Sequence, residues 1–446
     1  MNAMRRWILR KLADAMRVAF HLFCIPVLTV VTVAVRWRKR DLLIWGTMPV
    51  SNYMYWSNAM RGAGYRSETL MTHVYSINRR ADFDRYLEDL LPAFMRGNES
   101  LARWLLSVFG PIVGYLYIVW NCRAFHTSFA GGPLGLTFFW YLEPIWLKIA
   151  NVRTVVIPIG SDAFKFSTIV DSSLRHVLLS NYAYLAKEEA RIARAVDIWT
   201  RHADIVIVDW MMDGIGRWDV TVPSVLSIDV SLWTPKDSYS LNDGRNGPVR
   251  VLHSPNHRYF KGSEFLIGAV KELQDEGLQV ELILLEGVTN ETVRQEMKRA
   301  DVLAEQFVFC GYGLSAVEGF ASGLPVMSNL SEEFYTRIFR RYAFLNECPT
   351  LSTRIEDIKD NLRALVTDPS LREELGRASR KYAEKYHSSE AAVRLFEFIY
   401  QRILEGKAVD LQNMFHPVKG EYANLGERIQ TRLVENRLPV AYGSRR

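Results

Sequence analysis

Cysteine is scarce in this 446-residue chain: Cys24, Cys122, Cys310 and Cys348 are scattered, with no C-x-x-C pair and no metal-ligand spacing. Neither a disulfide framework nor a zinc site follows, and a reducing, cytosol-facing compartment fits. No G-x-x-x-x-G-K-[ST], H-E-x-x-H or G-x-S-x-G is present, which sets aside kinase-like NTPases, zinc proteases and the usual serine hydrolases. Asp-x-Asp, a pattern able to hold a metal on a diphosphate, occurs as Asp82-Phe-Asp84 just ahead of RYLEDLLP, where capping a helix is the stronger explanation. Acid is nearly missing from the first forty positions, which carry nine Lys and Arg against Asp14 alone.

What is present is ordinary for a folded protein of two domains: 49% hydrophobic and 23% charged residues, with a net charge of +6. The basic start encloses an uncharged stretch, residues 18–35 (VAFHLFCIPVLTVVTVAV), so its charge points to an anionic membrane surface and not to nucleic acid. Eighteen residues meet the length of a spanning helix marginally, and His21 and Pro26 weaken that reading; a re-entrant or interfacial helix and a buried one stay open. A second apolar run, 104–120, is interrupted by Gly110, Pro111 and Gly114. Strands before and after it should share one sheet, and a crossing would put them on opposite sides of a bilayer. It is either a membrane-dipping element or a core or dimer-forming helix.

From residue 41 strands and helices alternate, which predicts parallel sheets. Strands are expected over 41–45, 68–72, 123–129, 154–159 and 204–208, with helices over 51–61, 137–150 and 184–202. A polar, turn-rich stretch, 235–248, reads as a linker, after which the alternation restarts with a strand over 249–253. Two α/β halves about a hinge imply a cleft.

Around residues 299–330 the apolar run 307–309 leads into Cys310-Gly-Tyr-Gly313, then a helix stopping at Gly323, then a strand over 325–327. A glycine-bearing turn opening a helix lets backbone approach a ligand and favours an anion such as a diphosphate, with Glu318 about one turn in. A tight turn before a core-packed helix explains the same residues. His126 and Asp162 fall just beyond the ends of expected strands, where open parallel sheets place function. His126 could act as a base or a sugar donor, or be structural, and Asp162 could cap a helix.

Three segments in order, HSPNHRYFKGSEFLIGAVKEL, then ADVLAEQF…GYGLSAVEGFASGLPV, then LREELGRASRKYAEKYH, resemble the C-terminal half of a family-four glycosyltransferase of the GT-B fold, as found in bacterial polysaccharide assembly. The resemblance covers residues 249 to about 404 well, and the first half more loosely through AFHTSFAGG and VVIPIGSDAF. It implies that Lys261, joined by Arg258, pairs with a donor diphosphate, that Gly311 and Gly313 form the phosphate-side turn, that Glu318 binds the ribose hydroxyls, and that His126 and Asp162 are catalytic-side positions of the first half. The family's first glutamate of E-x7-E is Cys310 here, so the sugar contacts change, or a residue such as Glu305 substitutes, or activity is lost.

The resulting expectation is an α/β GT-B protein: a basic and apolar membrane-associating segment (1–40), an acceptor domain (41–235), a linker (236–248), a nucleotide-sugar domain (249–388), and a helix crossing back with a tail (389–446) that is partly disordered. Its expected activity is metal-independent sugar transfer, with retention of configuration, from a nucleotide-diphosphate donor to a lipid-linked or other glycan acceptor at the cytoplasmic membrane face. No cofactor and no nucleic acid are expected, and partner transferases are. Its rivals are an inactive GT-B subunit that places a partner transferase, and a sugar-nucleotide epimerase.

Overall fold

The computed structural model describes residues 3–75, 79–97 and 100–439. Two wholly parallel sheets organise them. The first contains β1 (Leu42–Thr47), β2 (Ser67–Met71), β3 (Arg85–Tyr86), β4 (Cys122–Thr127), β5 (Arg153–Val156), β6 (Ile205–Val208) and β7 (Val220–Thr221), in the order β3-β2-β1-β4-β5-β6-β7. The second contains β8 (Val249–His253), β9 (Val280–Leu284), β10 (Val302–Gln306), β11 (Val326–Ser328) and β12 (Leu351–Ser352), in the order β12-β11-β10-β8-β9. Each is doubly wound: the strand order reverses between β1 and β4 and between β8 and β10, the points at which such sheets open a crevice at their C-terminal edge. The central strands are apolar runs because both faces are covered.

One core runs between the two sheets, from Trp45 and Trp56 to Phe320 and Phe396. A second lies outside the first sheet, beneath the helices Ala3–Ala34 and Ser100–Asn121, and a third lies outside the second sheet. β1 and β4 pair directly, Trp45 opposite His126, so both ends of the run at 104–120 do return to one sheet. That run is one continuous helix despite Pro111, whose missing N–H falls within the packed face.

Several expectations are corrected. The apolar residues at 307–309 are loop; the strand precedes them and ends in two buried polar residues, Glu305 and Gln306. The helix expected over 184–202 is two, Ser172–Lys187 and Glu189–His202. Of 137–150, only Glu143–Ile149 is α-helical. The stretch 236–248 carries no helix or strand, yet it is tied down: Lys236 meets Asp301 at 2.8 Å, the Tyr239 hydroxyl donates to Gly323 O at 2.9 Å, and buried Arg372 donates to Ser240 O at 3.0 Å. The tail is not loose as far as residue 439: Leu411, Phe415 and Tyr422 are buried, and Arg432 pairs with Glu374 at 2.6 Å. Residues 440–446 lie outside the described residues.

The helix Ser389–Ile403, capped by Ser388 on Ala391 N, lies against the first sheet, where Phe396 packs edge-on to Trp45 at 4.8 Å between ring centres.

Candidate functional site

The crevice of the second sheet begins at the end of β8. His253 is fully buried, its Nδ1 2.7 Å from Ala304 O and its Nε2 2.7 Å from Ser263 Oγ, and burial pushes its pKa down to about 4. It is a pin joining β8, β10 and the helix Ser263–Asp275. Lys261 ends a short helix, Arg258–Lys261, and Gly262 turns the chain with φ of 75° into the next. Lys261 is 8% exposed, and its ammonium donates to the Glu305 carboxylate and, at 2.8 Å, to Gln306 Oε1. Glu305, 3% exposed, also accepts from Ser328 Oγ at 3.1 Å. Both partners of Lys261 come from the C-terminal end of β10 and take two of the ammonium's three hydrogens. Arg258 does not join it: its guanidinium pairs with Glu264 at 2.7 Å and Glu286 at 2.9 Å near the surface. The expected pair of cations is therefore one cation, already paired with an anion.

The glycine turn comes up beside that pair. Gly311 has φ of +129°, donates from its N–H to Asn329 O at 2.7 Å and accepts at its carbonyl from Ser328 Oγ at 2.6 Å. A side chain could not stand there, since a Cβ would lie 2.4 Å from the Trp210 ring. Gly313 caps the helix Leu314–Ala321, taking Ala316 N at 3.1 Å; a Cβ on it would lie 3.2 Å from Glu305 and 3.6 Å from Lys261 Nζ. Lys261, Glu305 and the Gly313 turn thus meet at one place, where the first amides of the helix have no intrahelical acceptor. Cys310 is fully buried, its thiol pushed up by burial, close to Glu332, Asp171 and Arg340.

Glu318 follows on the same helix, 6% exposed and accepting from Asn290 Nδ2 at 3.1 Å. Burial pushes its carboxyl up to about 7. Its charge in turn helps burial push Tyr55, on the helix Ser51–Gly62 of the first half, up to about 12, so Glu318 stands at the junction of the two halves.

On the other side of that junction the two expected catalytic residues have structural partners. His126 is fully buried in β4, stacked on Trp45 with ring centres 3.6 Å apart. Its Nδ1 is 3.3 Å from Ile44 O, its Nε2 is 2.9 Å from Tyr400 Oη, and burial pushes it down to about 3. Both ring nitrogens are thus engaged within the protein, and burial favours the neutral imidazole. Asp162 ties two loops, accepting from Phe129 N at 2.8 Å and Ile159 N at 2.9 Å. The sequence reading passed over Asp209, at the end of β6, which burial, reinforced by Asp162 nearby, pushes up to about 7. It also passed over Gln306 and Asn290, partners of Lys261 and Glu318. No spacing marks these, because 45 residues separate Gln306 from Lys261 and 28 separate Asn290 from Glu318.

No protein-family model matches the sequence, and no curated protein matches it as a relative. Among solved structures, a sucrose-phosphate synthase from Thermosynechococcus elongatus aligns over 83% of this chain and 100% of its own, with a TM-score of 0.51 at 14% identity. The catalytic domain of starch synthase IV from Arabidopsis thaliana, bound to ADP and acarbose, aligns over 82% and 99%, with a TM-score of 0.44 at 9% identity. WaaG, a glycosyltransferase involved in lipopolysaccharide biosynthesis, aligns over 77% and 95%, with a TM-score of 0.38 at 12% identity.

Proposed function

We propose that this chain, which has the GT-B fold, moves a sugar from a nucleotide-diphosphate donor to an acceptor. The observation that carries the proposal is the meeting of Lys261 and the Gly313 turn at the C-terminal edge of β8 and β10, where the strand order of the second sheet reverses, with Glu318 on the helix that the turn opens. In this reading the diphosphate sits on the first amides of the helix Leu314–Ala321 and draws Lys261 from Glu305, since its double charge outcompetes one carboxylate. Ammonium and amides together stabilise the charge that develops on the leaving diphosphate as the glycosidic bond breaks, and no metal is invoked. Ionised Glu318, held by Asn290, accepts from the ribose hydroxyls.

Arg258 takes no part, and His126 and Asp162 support the first half without touching the sugar. The acceptor is a lipid-linked glycan brought to the first half at the cytoplasmic face of a membrane, and transfer proceeds with retention of configuration.

A second reading, an inactive GT-B subunit that places a partner transferase, draws on a specific observation. The lysine expected to hold the diphosphate is neutralised by Glu305, and Cys310 replaces a motif glutamate. Titration of purified protein with a panel of UDP-, GDP-, ADP- and dTDP-sugars, with Lys261→Ala and Glu318→Ala alongside, separates the two. Transfer predicts one donor that binds wild type and is weakened about ten-fold or more by either substitution. A folded wild-type protein that binds none of the panel leaves the subunit reading standing.

A further inference from the structure

The helix Ala3–Ala34 is apolar on the side it packs and on the side it shows. One line of residues, His21, Cys24, Leu28, Thr32 and Val35, is buried. His21 Nε2 lies 3.0 Å from Val108 O, Thr32 Oγ1 lies 2.7 Å from Tyr115 Oη, and the Phe20 ring lies 4.8 Å from that of Phe109. Trp104 reaches Ala13 O at one end, and Arg38 covers the Trp120 ring at 4.3 Å at the other, so contact with the helix Ser100–Asn121 follows the whole apolar length.

The opposite face is formed by Leu22, Phe23, Val27, Val30 and Val33 and continues to Trp37, all exposed, with Phe23 at 70% and Val30 at 68%. Between Val18 and Val35 it offers water no charged group, and the Thr29 hydroxyl is turned back onto Ile25 O at 2.8 Å. Such a face on a folded chain needs a cover that is not water. Lys11 and Arg17 before it and Arg36, Arg38 and Lys39 after it, with Asp14 the lone acid, select a cover that is anionic at its edges and apolar within.

We infer that the helix Ala3–Ala34 lies in the plane of an anionic lipid bilayer, its outer face in the acyl boundary and its cations at the headgroups, and does not cross. A crossing would carry its partner helix with it. That would draw into hydrocarbon the flank where the Tyr117 hydroxyl donates to Glu68 at 2.5 Å and Arg85 covers the Tyr117 ring at 5.1 Å. In the plane, roughly 1.5 Å of rise per residue lays the uncharged stretch along about 27 Å of surface, and the first half is held against the bilayer by its side. This inference does not rest on the sugar-transfer reading.

Two measurements on the full chain test it. In vesicle flotation, wild type should bind phosphatidylcholine vesicles containing phosphatidylglycerol better than phosphatidylcholine alone, and added salt should narrow the difference. Phe23→Glu/Val30→Glu should lower the bound fraction about ten-fold. Lys11→Glu/Lys39→Glu, which leaves the apolar face intact, should remove the preference for phosphatidylglycerol. In intact bacterial cells expressing Trp7→Cys or Trp37→Cys, an impermeant maleimide should label neither, and both after lysis and solubilisation in detergent; the four native cysteines are buried. Labelling of one position and not the other in intact cells would mean a crossing and overturn the inference. Failure to float on either vesicle, with a soluble dimer that Phe23→Glu/Val30→Glu splits, would show that a second copy covers this face and would overturn it equally.

Discussion

A carboxyl that burial raises to about 7, as at Glu318, changes its chemistry within the ordinary working range. Below that pH it is protonated and offers the ribose one acceptor oxygen fewer; above it, the carboxylate can accept from both hydroxyls. Donor affinity should therefore rise about ten-fold from pH 6 to pH 8 in wild type and stay flat in Glu318→Gln, read by calorimetry at each pH. The stability of the empty protein moves the other way. A folded pKa above the unfolded value means that the folded state binds the proton more tightly, so this group's contribution falls as pH climbs from about 4.5 to about 7. A pH-dependent affinity that persists in Glu318→Gln would place the titrating group elsewhere. Lys261 was singled out only through the family resemblance, and Glu318 through that resemblance together with its place about one turn past a glycine turn. Their partners were not, since Glu305, Gln306 and Asn290 reach them through folding alone. His126 shows the converse: expected just beyond a strand end, it lies within β4, paired opposite Trp45, and the Trp45 and Tyr400 rings that enclose it come from distant parts of the chain.

Elements were legible where burial on both faces leaves an apolar run, as in β1, β5, β6 and β8. The two-residue edge strands β3, β7 and β12 have no such run. β10 carries no such run to its end, because its buried end holds Glu305 and Gln306 in place of apolar residues. The tail was misread because its order comes from long-range contacts, such as Phe344 with Phe415 and the Ile429 N–H with Glu347, and not from any period of its own. The helix Ser389–Ile403 is the element on which the two halves most visibly depend. Phe396 is fully buried among Trp45, Trp56 and His126, and Tyr400 holds His126 Nε2. Phe396→Ala should cost about 3–5 kcal/mol in denaturant unfolding, against about 1 kcal/mol for Tyr400→Phe, which removes one hydrogen bond. Equal, small losses from both would mean that the helix is not docked in solution as described.

At the scale of the whole molecule, one close approach between the halves lies at Trp210 and Gly311. The Trp210 ring, just past β6 of the first sheet, stands where a Gly311 Cβ would be, and it also meets the Tyr312 ring edge-on at 5.7 Å and that of Phe339 at 4.9 Å. The glycine that allows this is the one expected to form the phosphate-side turn. Gly311→Ala should act at long range. Its φ of +129° alone would cost about 1–3 kcal/mol in an alanine, and the methyl would push against the indole. Small-angle scattering should show a larger radius of gyration than wild type. Gly311→Ala/Trp210→Ala frees the space the methyl needs, so it should return to the wild-type radius while keeping the backbone penalty in its unfolding midpoint. If the single variant is as compact as wild type, the halves do not close on Trp210 in solution. If the double variant is as open as the single, the turn's conformation, and not the indole, holds them together.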